Sequence, residues 1–348
     1  MSTSSSPDIP DGRGTPTMAA VAAEVGVSVP TVSKVLNGRP DVSPATRARV
    51  EIALQRSGYR RRRQAQPGGT PPLLDLVFHE IGSAWATEII RGVEEAASAA
   101  GVGVVLSASG GHHHPGQGWV ERVLARRPVG VISVMSTLHP DQRRRLASRS
   151  VPLVVLDTDG EPPPDVPTVG SSNWHGGLSA TRHLLELGHR RVAVVTGPAD
   201  VLCSRARVDG FRSAHDESGV TLDPALVRYG DFEVAGGHHH GRELLSLPER
   251  PTAVFAGSDM QALGVLRAAR ELGLRVPADL SVVGYDDLPL AAYVDPPLTT
   301  VHQPLRDMAV TATRMLLDPQ PGDDDRPRRV ELGTHLVVRD STAPPPPR

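Results

Sequence analysis

Thr17-Met18-Ala-Ala-Val21-Ala22-Ala-Glu24-Val25-Gly26-Val27-Ser28-Val29-Pro30-Thr31-Val32-Ser33-Lys34-Val35-Leu36-Asn37 reads as two short helices around a sharp turn. Thr17 is placed to cap the first helix, whose apolar residues Met18, Val21, Ala22 and Val25 recur at helical spacing. Gly26 stops it. Ser28 caps the second, with Pro30 in the first turn where a missing N–H costs little. Val32, Val35 and Leu36 form its inner face, and Asn37-Gly38 ends it. Ser43 caps a third helix from Pro44 to Arg56, with Val50 and Leu54 inward. The unit has the size and pattern of a helix-turn-helix, whose second helix is shaped to enter the major groove of DNA.

Charge supports that expectation. The chain has 348 residues and a net charge of −2. Residues 1–66 hold ten Arg and Lys against five acids, a balance of +5, which leaves −7 for the remaining 282. A basic end on a mildly acidic body predicts a polyanion partner for that end alone. Lys34 is the sole lysine, which we ascribe to codon bias.

Other classes find little support. Cys203 is the only cysteine, so neither a disulfide framework nor a cysteine zinc site is available. No run approaches the ~18 apolar residues of a membrane span. Met1 to Gly14 lacks the apolar stretch of a secretory signal, and the expected compartment is the cytoplasm. No Gly-x-Ser-x-Gly elbow is present, and the lone lysine is not in a phosphate-binding loop. Asp286 and Asp287, as neighbours at a strand end, point apart rather than forming a catalytic pair. The chain is therefore not expected to be an enzyme, and no cofactor is expected.

Residues 1–16 are polar and aperiodic, which predicts disorder. A helix-turn-helix domain follows over 17–59, then a basic linker over 60–72 rich in Arg, Pro and Gly. From Leu73 short apolar strands alternate with helices. Strands are predicted at 73–78, 102–106, 130–134, 153–157, 191–196, 253–256 and 281–285, with helices such as 88–100, 177–187 and 260–272 between them. Such alternation builds doubly wound parallel sheets, which bind ligands at the carboxyl ends of their strands.

The assembled chain resembles the LacI-type family of transcriptional regulators over about residues 17–340. The resemblance rests on Val27-Ser-Val-Pro-Thr-Val-Ser-Lys34-Val-Leu-Asn-Gly38, on Gly188-His-Arg-Arg-Val192 with Gly197-Pro198 and Arg207-Val-Asp-Gly-Phe211, and on Leu280-Ser-Val-Val-Gly-Tyr-Asp-Asp287 continuing to Pro297-Leu-Thr-Thr-Val301 and Gln303. It implies an all-α three-helix head followed by two α/β lobes of periplasmic-binding-protein-like type. The core spans 73–342, with one lobe at about 73–186 plus 305–330 and the other at about 187–303 plus 331–342. It further implies a homodimer on a pseudo-palindromic double-stranded operator, controlled by a small effector between the lobes, with carbohydrate the usual class. The C-terminus lacks the leucine heptads of a tetramerising helix.

On this resemblance Val29, Pro30 and Lys34 face bases, and Thr17, Ser28, Thr31, Ser33 and Asn37 contact bases or phosphates. Arg47, Arg49 and Arg60, Arg61, Arg62 and Arg63 supply phosphate contacts. The hinge departs from the family pattern. Ala65 matches the hinge alanine, but Gly68, after Pro67, stands where a leucine wedges the minor groove. Arg60 to Arg63 are expected to compensate electrostatically there.

For the effector the resemblance implies Trp85, Asn173, Arg207, Phe232, Ser258, Asp286 and Gln303. Ser258 stands where the family often has Asn, trading an amide donor for a hydroxyl. Two histidine triplets, His112–His114 and His238–His240, lack the usual zinc spacings and are expected in surface loops, with no metal bound. The main rival reading is a solute-binding protein for sugar transport, which would share the body but not the head.

Overall fold

A computed structural model describes residues 17–36, 41–56, 71–79, 81–109, 117–135, 138–158, 160–161, 164–318 and 327–347. The expectations for residues 1–16, Asn37, the basic linker with Arg60 to Arg63, and His112 to His114 lie outside them. The chain divides into two units, Met1–Thr70 and Pro71–Arg348.

The first unit holds α1 (Met18–Val25), α2 (Val29–Leu36) and α3 (Pro44–Arg56). Thr17 Oγ1 accepts from the Ala20 amide at 3.2 Å, which caps α1. Gly26 ends it in the left-handed region at φ +70°, where a side chain would be strained. The two helices meet at a bend of 101°, within the helix-turn-helix range. Val21, Ala22, Val25, Val32, Val35, Val42, Val50 and Ala53 make one small core. No single helix among the described residues is long and apolar enough to cross a membrane.

The second unit contains two sheets. The first takes β1 (Leu73–Phe78), β2 (Gly103–Ala108), β3 (Gly130–Val134), β4 (Leu153–Leu156) and β5 (Thr168–Ser171), with α4 (Ala84–Ala99), α5 (Gln117–Arg126) and α6 (Pro140–Ser148) between strands. The second begins after α7 (Asn173–Glu186). It takes β6 (Val192–Thr196), β7 (Val227–Tyr229), β8 (Ala253–Ala256), β9 (Ser281–Asp286) and β10 (Thr299–His302), with α8 (Leu202–Glu217), α9 (Val234–Leu245) and α10 (Asp259–Glu271) interposed. Then α11 (Leu305–Leu317) returns to the first lobe, β11 (Arg329–Leu332) joins its edge, and β12 (His335–Val337) closes the second sheet antiparallel to β10.

The orders are β11-β5-β4-β3-β1-β2 and β12-β10-β9-β8-β6-β7. Each lobe thus repeats the 2-1-3-4-5 order of doubly wound sheets, with strands parallel apart from β12. Central strands are apolar throughout because helices cover both faces, as in β6 (Val-Ala-Val-Val-Thr), buried along its length.

The chain crosses between lobes at Ser172, at Gln303-Pro304 and at Gly333-Thr334. The outer two crossings are tied together. Ser172 N donates to Leu332 O at 2.9 Å, Thr334 N donates to Ser172 Oγ at 3.0 Å, and Thr334 Oγ1 donates to Ser172 O at 3.2 Å.

Two lobe boundaries differ from the sequence expectation. Helix α7, expected in the first lobe, belongs to the second. Its Leu178, Ala180, Leu184 and Leu185 pack with Val192, Val194 and Phe211. Strand β11 places 331 and 332 in the first sheet rather than the second lobe. The physical reason for the first shift is a close approach of α7 to α8: a Cβ on Gly210 would strike the Trp174 carbonyl and the Leu178 amide. Gly210→Ala should therefore force these helices apart, costing about 1–3 kcal/mol by overpacking. Thermal denaturation checks this, and an unchanged midpoint would contradict it.

Candidate functional site

In the head, the recognition features fall on α2. Ser28 Oγ accepts from the Thr31 amide at 3.3 Å and pairs with Thr31 Oγ1 at 2.8 Å, so these hydroxyls first of all start the helix. Val29 is 40% exposed, and Pro30 and Lys34 are exposed on the same helix. An exposed valine beside a lysine suits a thymine methyl next to a guanine edge. Lys34 Nζ lies 2.7 Å from Asp41 Oδ2 with both side chains about half exposed, a pair weak enough for DNA to displace. Arg47 and Ser33 lie on the described helices and are half-buried. Arg49 is exposed on α3, and its Nη2 donates to Val25 O at 2.6 Å, satisfying a carbonyl at the end of α1.

In the body, the strand ends collect most of the residues expected to meet an effector. Arg207, from α8, is only 3% exposed. Its Nε donates to Asn173 Oδ1 at 2.9 Å, and its Nη1 donates to the Gly257 carbonyl beyond β8. The guanidinium lies 3.6 Å from the Tyr285 ring centroid and 5.4 Å from that of Phe232. Both rings need glycines behind them: a Cβ on Gly176 would strike Tyr285, and one on Gly197 would strike Phe232.

Carboxylates face this cation. Asp286 ends β9 and Asp157 follows β4, at 5% and 4% exposure. Burial pushes the Asp286 carboxyl well above the usual range, with Arg207 opposing and Asp259 and Asp157 reinforcing the shift. Burial likewise raises Asp157, which Arg207 and a hydrogen bond to Gln303 oppose. Burial pushes the Cys203 thiol up to about 12, which removes it as a nucleophile. Asp157, Asp286 and Asp287 have φ of +52°, +107° and +54°, and Phe232 has +65°. Left-handed backbone at four non-glycine positions around one site is strain held by its surroundings, a common mark of ligand sites.

Gln303 sits at the second crossing and donates from Nε2 to Ser171 Oγ at 2.9 Å, so it joins both lobes. Ser258 is less free than its position suggests. Its Oγ accepts from the Gln261 amide at 3.0 Å and donates to Phe232 O at 2.7 Å, capping α10 and pinning the Phe232 loop. Around the cluster Thr196 Oγ1, Ser204 Oγ, Gln261 Oε1 and Gln303 Oε1 are buried with no protein hydrogen-bond partner. These atoms are suited to a polar ligand.

The structure thus brings together Asn173, Arg207, Phe232, Ser258, Asp286 and Gln303. Trp85 lies on the first turn of α4, half-buried against an apolar cluster that also holds Leu288. Sequence reasoning missed Asp157, Tyr285 and Ser171 as members of the site. Asp157 carried a usable signal, a lone carboxylate ending the apolar run of a parallel strand. A cavity of about 590 Å³ touches the cluster only at Asp286 and Gln303 and otherwise follows Glu88, Arg306 and Arg339. The strained, charged and unpartnered groups mark the cleft better than that volume does.

A two-lobed body with a polar site at its crossings, preceded by a helix-turn-helix head, defines a ligand-responsive DNA-binding protein. Comparison with known proteins agrees. Residues 17–62 match the family described as bacterial regulatory proteins, lacI family, and residues 181–342 match the periplasmic binding protein-like domain. The HTH-type transcriptional regulator CelR of Thermobifida fusca is 39% identical over 341 residues, covering 94% of this chain and 99% of that protein. A solved CelR–cellobiose complex is similar with TM-score 0.68 and 36% identity, covering 94% and 99% of the two chains. The lac repressor dimer bound to operator and the anti-inducer ONPF has TM-score 0.68 and 30% identity, covering 95% and 100%. The chain belongs to the lacI family of bacterial regulatory proteins and is a DNA-binding transcriptional regulator.

Asp259 supplies a pH test of the packing beneath the site. Its Oδ1 accepts from Thr300 Oγ1 at 2.6 Å and its Oδ2 accepts from the Leu288 amide at 2.7 Å, yet burial pushes its carboxyl up to about 7. A raised carboxyl makes the folded state hold its proton more tightly than the unfolded chain. The associated stability is fully present below about pH 4 and is lost as pH rises toward 7. Asp259→Asn, in which Thr300 turns to accept, should remove about one proton from the folding linkage between pH 4 and 7. Denaturant titrations across that range measure it, and an unchanged slope would contradict the assignment.

Proposed function

We propose that this regulator is a dimeric repressor whose operator affinity is set by a carbohydrate, in the size range of a disaccharide, bound between the lobes. It acts by binding rather than catalysis. The supporting observation is the Arg207 cluster. One buried guanidinium, flanked by aromatic faces and two desolvated carboxylates, offers forked donors and acceptors to vicinal hydroxyls and stacking surface to C–H faces. The cellobiose bound by the CelR relative is a ligand of that chemistry. Trp85 contributes a further apolar face from the first lobe. The domain scheme behind this reading is the 17–59 head, the 60–72 hinge and the body from 73.

On DNA, two heads read a pseudo-palindrome. Lys34 and Val29 contact base edges, with Pro30 on the same side. Thr17, Ser28, Thr31, Ser33, Asn37, Arg47 and Arg60 to Arg63 supply the remaining base and phosphate contacts. The arginines also offset the absence of a hinge leucine at Gly68. The test starts from an operator selected from random duplexes, with affinity measured with and without cellobiose and related sugars. A change of at least tenfold with one of them is expected, whereas indifference to all of them would remove the carbohydrate reading.

Two variants separate the halves of the mechanism. Arg207→Gln should weaken effector binding about 10- to 100-fold, because a charge-assisted donor set is lost, and with it the response of operator affinity to sugar. Lys34→Ala should lower preference for the operator over random duplex by about 1–3 kcal/mol without touching sugar affinity. Calorimetry and fluorescence anisotropy read the two. Loss of both activities in either variant would argue for unfolding instead.

Effector affinity should also depend on pH with a definite sign. Sugar hydroxyls donate to ionised Asp286, whose carboxyl stands well above its usual range, so binding releases a proton. Affinity should therefore rise as pH climbs above the usual carboxylate range. Isothermal titration at several pH values measures it, with Asp286→Asn expected to bind weakly and without the slope.

A further inference from the structure

The second histidine triplet does not lie in a loop. His238, His239 and His240 sit inside α9, on the face of the second lobe shared with α10. The three then divide their partners. His238 Nε2 lies 2.8 Å from Glu271 Oε2 on α10, and Glu271 is also held by Arg267 at 3.0 Å and Arg242 at 3.4 Å. That imidazole is committed to a closed ion-pair group.

His239 and His240 flank a different carboxylate one turn along, Glu243. His239 Nε2 stands 3.5 Å from Glu243 Oε1, and His240 Nδ1 stands 3.1 Å from Oε2. The three donor atoms all lie within 4.8 Å of one another. Consecutive helical residues diverge by about 100° around the axis, which is why the sequence pattern argued against ligation. The spacings i to i+4 and i to i+3 nevertheless return both imidazoles to Glu243.

We propose that His239, His240 and Glu243 form a three-ligand site for a borderline divalent transition-metal ion such as Zn²⁺, completed by water. Two imidazoles and one carboxylate are a zinc donor set. With metal–ligand bonds of about 2.0–2.2 Å, tetrahedral geometry requires ligand atoms about 3.3–3.6 Å apart; His239 Nε2 stands 3.5 Å from Oε1 of Glu243 and His240 Nδ1 3.1 Å from Oε2, so a small rotation of the carboxylate brings all three groups to one ion. Nitrogen donors weigh against Mg²⁺ and Ca²⁺, which take oxygen ligands. The His240 side chain is 18% exposed and packs against Gly230, where a Cβ would stand 3.3 Å from the ring. The His239 side chain is 68% exposed and leaves the ion a path in. Arg228 is the competitor, with Nε 3.8 Å from Glu243 Oε2. The ion would staple the second and third turns of α9, a helix that starts two residues after Phe232.

The test is calorimetric titration of untagged full-length protein with Zn²⁺. One equivalent per chain should bind at this site. Glu243→Gln and His239→Asn should each weaken it at least tenfold, and Arg228→Gln should tighten it. His238→Asn, and the triple change of His112, His113 and His114 to Asn, should leave it intact. Thermal midpoint should rise with Zn²⁺ in the wild type and not in His239→Asn, whose exposed position spares the fold. Absence of saturable binding would overturn the proposal. So would one-to-one binding that survives both ligand changes, or that disappears with the His112–His114 change.

Discussion

The body of this protein depends on one buried cation. Arg207 is taken out of water among Asp157, Asp286, Tyr285 and Phe232, and its burial is tolerable only because each group around it answers its charge or its donors. Removing a buried guanidinium from water costs several kcal/mol, and so does each carboxylate. Two raised carboxyls facing one arginine leave the cluster short of positive charge and rich in acceptors. Such a site is better satisfied when hydroxyl donors enter. Affinity for a polar ligand is thus favoured by the electrostatics of the cleft.

The same cluster lies where the lobes join. Gln303 belongs to the second crossing and bonds Ser171 at the end of β5, while its amide also reaches Asp157. Asn173, which holds Arg207, begins α7 immediately after the first crossing. The first and third crossings are laced by Ser172 and Thr334. A ligand that pulls on Arg207, Asp286 or Asp157 therefore acts on residues that also set the angle between lobes. A ligand changes DNA affinity only to the extent that it favours one lobe arrangement over another. The contacts proposed for the ligand lie beside the crossings between lobes.

Much of this was legible in the sequence, for reasons that differ by region. In the head, Thr17, Gly26 and Ser28 carry local instructions, and α1 to α3 begin and end within a residue or so of the positions those caps predict. In the body the long apolar runs located β1, β3, β6, β8 and β9. The short strands β5, β7, β10, β11 and β12 escaped, since three or four residues without a sustained pattern say little until their neighbours are known. Helix α7 was assigned to the wrong lobe because its allegiance depends on glycine contacts with α8, which no local pattern reveals. Arg207, Asp286 and Gln303 were visible through motifs. Tyr285 was visible only through burial, whereas Asp157 carried an unused signal at the end of an apolar strand. The His238 triplet went astray because its partners, Glu243 and Glu271, are fixed by tertiary or helical geometry rather than by composition.

The central claim is that the cleft and the DNA-reading head share one conformational equilibrium, and thermodynamic reciprocity tests it most directly. The factor by which a bound sugar changes operator affinity must equal the factor by which bound operator changes sugar affinity. Sugar titrations of the free protein and of the protein saturated with operator duplex supply the second factor. Two equal factors, both well removed from unity, are the predicted result. Sugar affinity identical with and without operator would show that cleft and head act independently, and would contradict the account.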